Sequence, residues 1–335
     1  MNGKTLDVLI VTYNRAGLFE KSLRSVCEQS YRDFTIKVLD NGSTDDTEKV
    51  YRQVASQYPM RNIEYMRLSE NHQDAFFIKK KNDYISGDYV IVFHDDDLMH
   101  PEYIAHAMRV MSENPSLVVL GGRTMISRHP EELEWEEPTG RYRIGTFEDL
   151  TRWYLDGDTM SFPGLMYKAE VYKRTAFRLD LYGNRGDMPF VIEIARSGLV
   201  CEMETRFLHY RVHGGQSSNR LPDSGQRLNL WRLYADILLR SRSGRMTFHN
   251  RVLQEILQQG EVDYEMARTE GWLTPETDRL YRLRGVRSYI KAKYMAYRVC
   301  NHVAWGLFRR KCSVRKRILR NLLRRDGQMC EIKKL

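Results

Sequence analysis

The chain has 335 residues, of which 42% are hydrophobic and 29% charged, with a formal net charge of +9, and this composition fits a soluble globular protein. It has no run of 18 apolar residues, so no membrane-spanning helix is expected. The first residues lack the apolar segment of a signal peptide, and the five cysteines show no C-x-x-C spacing. Together these features predict a cytoplasmic location, where thiols stay reduced.

Strand and helix patterns alternate along the first 120 residues. Apolar β-rich runs predict strands, and the segments between them predict helices. The alternation predicts an α/β fold with a mostly parallel, Rossmann-like sheet flanked by helices. The predicted strands are 6–12, 35–39, 62–68, 89–93 and 117–120, and the predicted helices are 16–29, 44–57, 73–85 and 101–114.

Polar clusters follow four of these strands. Ligands of parallel sheets collect beyond the carboxyl ends of the strands, so the clusters predict one crevice at that edge. The clusters are Thr12-Tyr13-Asn14-Arg15, Asp40-Asn41-Gly42-Ser43, Ser69-Glu70-Asn71 and Asp95-Asp96-Asp97.

Three adjacent carboxylates, Asp95, Asp96 and Asp97, follow the predicted buried strand at 89–93. Held together, they repel one another and lose hydration, and a bound divalent cation resolves that conflict. Oxygen ligands of this kind suit Mg²⁺ or Mn²⁺. The alternative is a solvated acidic turn that caps the helix starting near Pro101.

The next hundred residues are less regular. The sequence predicts a loop or hairpin region at 123–145 and helices at 147–155 and 189–197. The last of these helices follows the polar segment Gly183-Asn184-Arg185-Gly186-Asp187.

From Ser224 onward the pattern predicts a helical C-terminal extension. Residues 220–335 carry 26 Lys/Arg and 11 Asp/Glu, whereas residues 1–219 carry 27 and 33. The segment 301–325 has the periodicity of a basic amphipathic helix. Its partner is an anionic membrane surface, a nucleic acid or the body of the protein itself. Nucleic acid is the least favoured, because no nucleic-acid-binding module accompanies it, and the membrane interpretation predicts peripheral attachment to the inner face of the cell membrane.

Three motifs occur in a recognisable order and spacing: VLIVTYNR at 8–15, VLDNGSTDDT at 38–47 and GDYVIVFHDDD at 87–97. Together they resemble a family 2 glycosyltransferase of the GT-A fold. The resemblance covers about residues 5–218. It implies a GT-A catalytic domain at 1–219, with a donor half at about 1–120 and an acceptor half at about 121–219, followed by the basic helical region at 220–335.

The resemblance implies a nucleotide-sugar donor bound across the sheet edge. Thr12, Tyr13 and Arg15 are then expected to line the nucleobase pocket. Asp40 is expected to accept a hydrogen bond from a uracil-type N–H, with Ser43 nearby.

The same resemblance implies roles around the diphosphate. Asp95 matches the position that faces the ribose, and Asp96 matches the aspartate that binds Mn²⁺ or Mg²⁺. Arg211 and His213 match a late element over the diphosphate, in which the histidine serves as a metal ligand. Asp187 matches the general base.

Three positions depart from the family pattern. His94 stands where the acidic motif usually begins with aspartate, and we assign it no role. The usual Arg-Asn pair falls at Ile78-Lys79, so Lys79, or its neighbours Lys80 and Lys81, is expected to supply the positive charge. Gly186 replaces the glutamate that usually precedes the base.

Simpler structural interpretations exist for several of these residues. Asp40 and Asp187 are also suited to cap the turn or helix that follows each of them. Arg15, His213 and Lys79–Lys81 have the alternative of solvated surface positions. Four residues either line an acceptor site or pack in the core: Trp153, Tyr154, Phe162 and Met166.

The resemblance implies a metal-dependent, inverting glycosyltransferase of the bacterial surface-polysaccharide type. Such an enzyme moves a hexosyl group from a nucleotide-sugar, here favoured as a UDP-sugar, to a saccharide acceptor. The basic C-terminal region favours an acceptor linked to polyprenyl diphosphate. The alternatives are a nucleotidyltransferase, which normally carries a Gly-rich basic loop after the first strand, and a non-catalytic nucleotide-sugar-binding module.

Overall fold

The computed structural model describes residues 4–72, 77, 79–156, 160–214, 223–258, 262–275 and 278–279. The predicted amphipathic helix at 301–325 and most of the first half of the predicted helix at 73–85 lie outside this set. The chain divides into two compact units, one ending at Arg251 and the other beginning at Val252. The predicted division at residue 219 into catalytic and basic parts stays a prediction.

The first half of the chain alternates strands and helices as predicted. Buried apolar runs form most of the strands, although the strand at Asn62–Arg67 contains no buried residue. Helices with one apolar face cover the sheet. The elements are β1 Leu6–Thr12, α1 Ala16–Cys27, β2 Thr35–Asp40, α2 Thr47–Gln57, β3 Asn62–Arg67, α3 Lys81–Tyr84, β4 Tyr89–His94, β5 Leu98–Met99, α4 Tyr103–Glu113 and β6 Leu117–Ser127.

The second half adds three strands and several helices. Two single 3₁₀ turns, Pro130–Glu132 and Gly183–Arg185, lie between them. The elements are β7 Tyr142–Gly145, α5 Phe147–Asp156, β8 Met166–Lys168, α6 Ala169–Arg174, α7 Leu179–Tyr182, α8 Asp187–Ala195, β9 Leu199–Arg211, α9 Ser224–Leu238, α10 Arg242–Gln258 and α11 Tyr264–Thr269.

The strands form one mixed sheet, so the predicted α/β fold is confirmed. Among the described residues the order is β3-β2-β1-β4-β8-β6-β9-β5, with β7 also paired to β9. Strands β1 to β4 pair in parallel with one another, and β6 pairs in parallel with β9. Because β8 is antiparallel to both β4 and β6, all these parallel strands end at the same edge.

Both faces of the sheet are covered. On one face, Val8 and Ile91 belong to a core cluster with Phe19 of α1 and Tyr103 of α4. On the other face, an aromatic group that includes Phe190 of α8 packs over β8. The ring centroids of Tyr172 and Tyr167 lie 5.2 and 6.2 Å, respectively, from the ring centroid of Phe190.

The loop or hairpin prediction for 123–145 is partly wrong. Strand β6 continues to Ser127, and β7 occupies Tyr142–Gly145, because both pair along the 13-residue strand β9. The sequence pattern did not predict β9 at all. A charged residue inside it, Glu202, interrupts the apolar run, although its side chain is fully buried beside Arg143.

Candidate active site

The acidic turn between β4 and β5 is buried. Asp95, Asp96 and Asp97 are only 4%, 5% and 1% exposed, so the alternative of a solvated acidic turn is wrong. Burial alone disfavours three neighbouring negative charges, so the turn must obtain compensating charge from elsewhere.

Two cationic or polar side chains converge on one oxygen of Asp96. Arg15 Nη1 donates to Asp96 Oδ2 at 3.0 Å and to Asp95 Oδ1 at 2.9 Å. His213 Nε2 lies 2.9 Å from the same Asp96 Oδ2. The structure therefore brings together three residues that the sequence placed in one site, although Asp96 lies 81 positions from Arg15 and 117 positions from His213. Arg15 is not a solvated helix-start residue, since it is engaged with the acidic turn.

Asp97 connects the turn to the end of β9. Its Oδ1 accepts a hydrogen bond from the Arg211 backbone N–H at 2.8 Å, and the Arg211 Nε donates to the backbone oxygen of Asp96 at 2.9 Å. The Nδ1 of His94 lies 3.6 Å from Asp97 Oδ2. His94, which received no role from the sequence, thus belongs to the same cluster.

The cluster suits a divalent cation. Ligand atoms of His94, Asp96 and Asp97 all lie within 4.8 Å of one another. Two buried carboxylate oxygens, Asp96 Oδ1 and Asp97 Oδ2, have no hydrogen-bond partner among the described residues. Carboxylate oxygens with an imidazole fit Mn²⁺ or Mg²⁺, and His213 offers a further nitrogen.

Burial also changes the proton affinity of the turn. It raises the pKa of Asp97 to about 7, although His94 opposes the shift. Burial raises the pKa of Asp95 as well, and the neighbouring Arg15 partly offsets this effect. A cation bound here would stabilise the ionised carboxylates and so offset the free-energy cost of burying their charges.

The turn after β2 forms the second part of the site. Asp40 is fully buried, and its Oδ1 accepts from the Ser43 backbone N–H at 2.8 Å. Its Oδ2 accepts from the Tyr65 hydroxyl. Asp40 therefore does cap its turn, as the simpler interpretation held, while Tyr65 fixes its other oxygen. Tyr65, on β3, was not predicted, because nothing in β3 marks one of its residues as facing this turn.

The same turn contacts the loop after β1. The Asn14 backbone N–H donates to Ser43 Oγ at 3.0 Å, and Asn14 itself has a positive φ of 48°. Gly42 has a φ of 77°, and a Cβ there would lie 2.6 Å from the Glu70 carbonyl carbon, so only glycine fits. Beside these residues Thr12 is buried, and Tyr13 is 38% exposed at the rim.

Asp187 is the first residue of α8. Its Oδ1 accepts from the Met188 backbone N–H at 2.9 Å, and Gly186 rather than Asp187 holds the cap position. Burial raises the pKa of Asp187, and the charges of His94 and Arg185 oppose the shift.

The glycine before Asp187 has a packing reason. A Cβ at Gly186 would lie 2.9 Å from the Phe177 ring, so a glutamate would displace that ring. The Phe177 centroid in turn lies 6.1 Å from that of Phe162, which itself lies 6.3 Å from the His94 ring. The Phe177 ring thus crowds the position at which the family pattern expects a glutamate side chain to begin.

The three lysines have different surroundings. Lys81 is buried, with Nζ donating to the Tyr172 backbone oxygen at 2.6 Å, and burial lowers its pKa to about 8. Lys80 lies 3.9 Å from Asp83, whereas Lys79 is exposed. Of the three, Lys79 keeps the predicted role, which stays a prediction.

The four residues proposed for either an acceptor site or the core also differ. Met166 is fully buried and belongs to the core cluster. The central guanidinium carbon of Arg143 lies 3.9 Å from the ring centroid of Trp153. Tyr154 and Phe162 are partly exposed.

No helix among the described residues is long and apolar enough to cross a membrane.

Comparison with known proteins places this geometry in a family. The model of glycosyl transferase family 2 matches residues 7–175. A glycosyltransferase of Haemophilus influenzae is 24% identical over 230 residues, covering 65% of this chain and 68% of that protein. The GalNAc(5)-diNAcBac-PP-undecaprenol beta-1,3-glucosyltransferase of Campylobacter jejuni is 35% identical over 94 residues, covering 28% of this chain and 29% of that protein.

Solved structures share the fold. The crystal structure of S. aureus TarS 1-349 in complex with UDP-GlcNAc has a TM-score of 0.55 and 17% identity, covering 87% of this chain and 88% of that one. The mannosyltransferase PcManGT from Pyrobaculum calidifontis, in complex with GDP-Man and Mn²⁺, has a TM-score of 0.50 and 17% identity, covering 89% and 87%. Because the family model matches half of the sequence and includes the strands that carry the acidic turn, this chain belongs to glycosyl transferase family 2.

Proposed function

We propose that this chain is a metal-dependent, inverting glycosyltransferase that moves a hexosyl group from a UDP-sugar to a saccharide acceptor in surface polysaccharide synthesis. The observation that carries the proposal is the buried acidic turn, whose two partnerless carboxylate oxygens belong to Asp96 and Asp97. These oxygens lie at the edge of the sheet where β2 also ends, at Asp40.

The donor would lie across this edge. Thr12, Tyr13 and Arg15 would line the nucleobase side, with Asp40 and Ser43 below them. The Asp40 carboxylate is held by Tyr65 and its own turn, so it is positioned before the donor arrives. The remaining polar residues would contact the sugar and diphosphate of the nucleotide: Lys79, Asp95 and Arg211.

Asp96 and His213, together with Asp97 and His94, would hold Mn²⁺ or Mg²⁺. When bound, such an ion neutralises the charge that develops on the leaving diphosphate. Arg211 is already fixed beside the turn by its backbone and its Nε, so its positive charge would stabilise the same diphosphate.

Asp187 would take the proton from the attacking acceptor hydroxyl. Its raised pKa moves it toward working pH, which suits a general base. Attack by the acceptor from the side opposite the leaving diphosphate inverts the anomeric centre. The membership in family 2 favours glycosyl transfer over nucleotidyl transfer, and the complete acidic turn argues against a non-catalytic binding module.

Relatives support the substrate class. Two TarS structures are named as complexes with UDP-GlcNAc and with UDP, whereas the mannosyltransferase is named with GDP-Man and Mn²⁺. The Campylobacter jejuni relative is named for an undecaprenol-diphosphate-linked acceptor. A lipid-linked saccharide is accordingly the acceptor class we propose.

A thermal-shift screen tests the proposal. Nucleoside diphosphates and their sugars are added with Mn²⁺ or with EDTA, and a ligand at 100 times its Kd stabilises the fold by about 2.7 kcal/mol. UDP and a UDP-sugar should raise the Tm with Mn²⁺ and much less with EDTA. Equal shifts for all nucleotides in EDTA would contradict a metal-dependent UDP-sugar site.

The basic C-terminal region suggests a membrane partner. We expect the full chain to sediment with anionic liposomes and not with neutral ones, and the bound fraction to fall as salt rises, because the attraction is electrostatic. Equal sedimentation of a chain truncated before Asn301 would assign the binding to another part of the protein.

A further inference from the structure

We propose that Glu131 is a positioning residue for the cation site: it holds the Arg211 guanidinium away from the Asp96 and Asp97 carboxylates and so keeps their oxygens open for Mn²⁺ or Mg²⁺. This inference rests on the proposed metal role of the acidic turn. Nothing in the sequence motifs singles out Glu131, which lies 80 positions before Arg211.

Glu131 is placed between two cations. It lies in the 3₁₀ turn Pro130–Glu132, just after β6. Its Oε2 accepts from Arg211 Nη1 at 2.7 Å, and its Oε1 accepts from Lys21 Nζ at 2.6 Å. Lys21 above all lowers the pKa of Glu131 to about 2, so the carboxylate is ionised at any working pH.

Arg211 needs such a partner. Its side chain is only 6% exposed, and a buried guanidinium without an anion is costly. Its backbone N–H donates to Asp97 Oδ1 and its Nε donates to the backbone oxygen of Asp96, so the side chain is attached to the acidic turn. The same turn contains two anionic oxygens, Asp96 Oδ1 and Asp97 Oδ2, that have no hydrogen-bond partner among the described residues, and without Glu131 they are available to the guanidinium. A guanidinium paired with these atoms would occupy the place of the cation.

The direct test is Mn²⁺ binding to the full chain without donor, measured by electron paramagnetic resonance of free Mn²⁺. We expect Glu131→Gln to raise the Kd for Mn²⁺ about tenfold, while Glu132→Gln, the next residue of the same exposed turn, leaves it unchanged. An unchanged Kd in Glu131→Gln, or no Mn²⁺ binding to the wild-type chain, would overturn the proposal. Thermal unfolding in EDTA checks that each variant is folded.

A double-mutant cycle separates positioning from a merely structural role. Once Arg211→Met has removed the guanidinium, adding Glu131→Gln should have no further effect on Mn²⁺ affinity. An equal loss in both backgrounds would show that Glu131 does not act through Arg211.

Lys21→Met gives a second control. This substitution removes the contact between Lys21 and Glu131. It should leave the Kd for Mn²⁺ within about twofold, because an exposed ion pair contributes little to the stability of the structure around it. A loss as large as that of Glu131→Gln would mean that Glu131 only fastens its turn. Because the readout is metal binding, a chain that binds Mn²⁺ with the expected pattern but transfers no sugar would refute the proposed function and leave this inference standing.

Discussion

Asp96→Ala should abolish Mn²⁺-dependent binding of UDP and lower sugar transfer by about 10³-fold or more, since a metal supplies several kcal/mol of transition-state stabilisation. Asp96 offers a partnerless oxygen to the cation and shares its other oxygen between Arg15 and His213. Calorimetry of UDP binding with Mn²⁺ and with EDTA measures the first effect. Initial rates of UDP release in the presence of acceptor measure the second.

The fold should tolerate this change. The Asp96 side chain accepts from Arg15 and lies beside His213, and Arg15 keeps its contact with Asp95 at 2.9 Å. The hydrogen bond from Arg211 Nε reaches the backbone of Asp96, so it is unaffected. Asp83→Ala, an exposed aspartate on α3, serves as the matched control. UDP affinity that stays at the wild-type value with Mn²⁺ would remove Asp96 from the metal site.

The first half of the fold was predictable because most of its strands, β3 excepted, are buried on both faces. Val8–Val11 of β1 and Tyr89–Phe93 of β4 are then continuous apolar runs, which a sequence displays directly. Strand β9 is different: Glu202 lies in its middle and is compensated by Arg143 on β7. A pairing between two strands that are distant in the chain leaves no local pattern, so neither β7 nor β9 could be anticipated.

The candidate site divides in the same way. The polar residues at strand ends were predictable, because parallel strands must end at one edge, and the structure brings Arg15, Asp96 and His213 together there. The residues that hold these polar side chains in position could not be predicted. Tyr65 and Glu131 contact the site through side chains whose partners lie 25 and 80 positions away, and no spacing in the sequence relates them.

Asp187→Asn should spare donor binding and lower the turnover number by at least about 10²-fold, the low end of what a general base contributes. The asparagine oxygen can still accept from the Met188 N–H, so α8 should begin at the same residue. Since burial raises the pKa of Asp187, removing its charge should not destabilise the protein. Rates at saturating donor and acceptor, together with UDP affinity, separate the two effects.

The pH profile distinguishes a base from a residue that only shapes the crevice. The base must be ionised, so the wild-type rate should rise with pH through the pKa of Asp187, which lies above the ordinary aspartate value. That rise should disappear in Asp187→Asn, whereas Glu193→Gln, an exposed change on the same helix, should keep both the rate and the profile. A variant with near-normal turnover would take Asp187 out of this role. Position 186 is a glycine, so it offers no carboxylate that could substitute for Asp187.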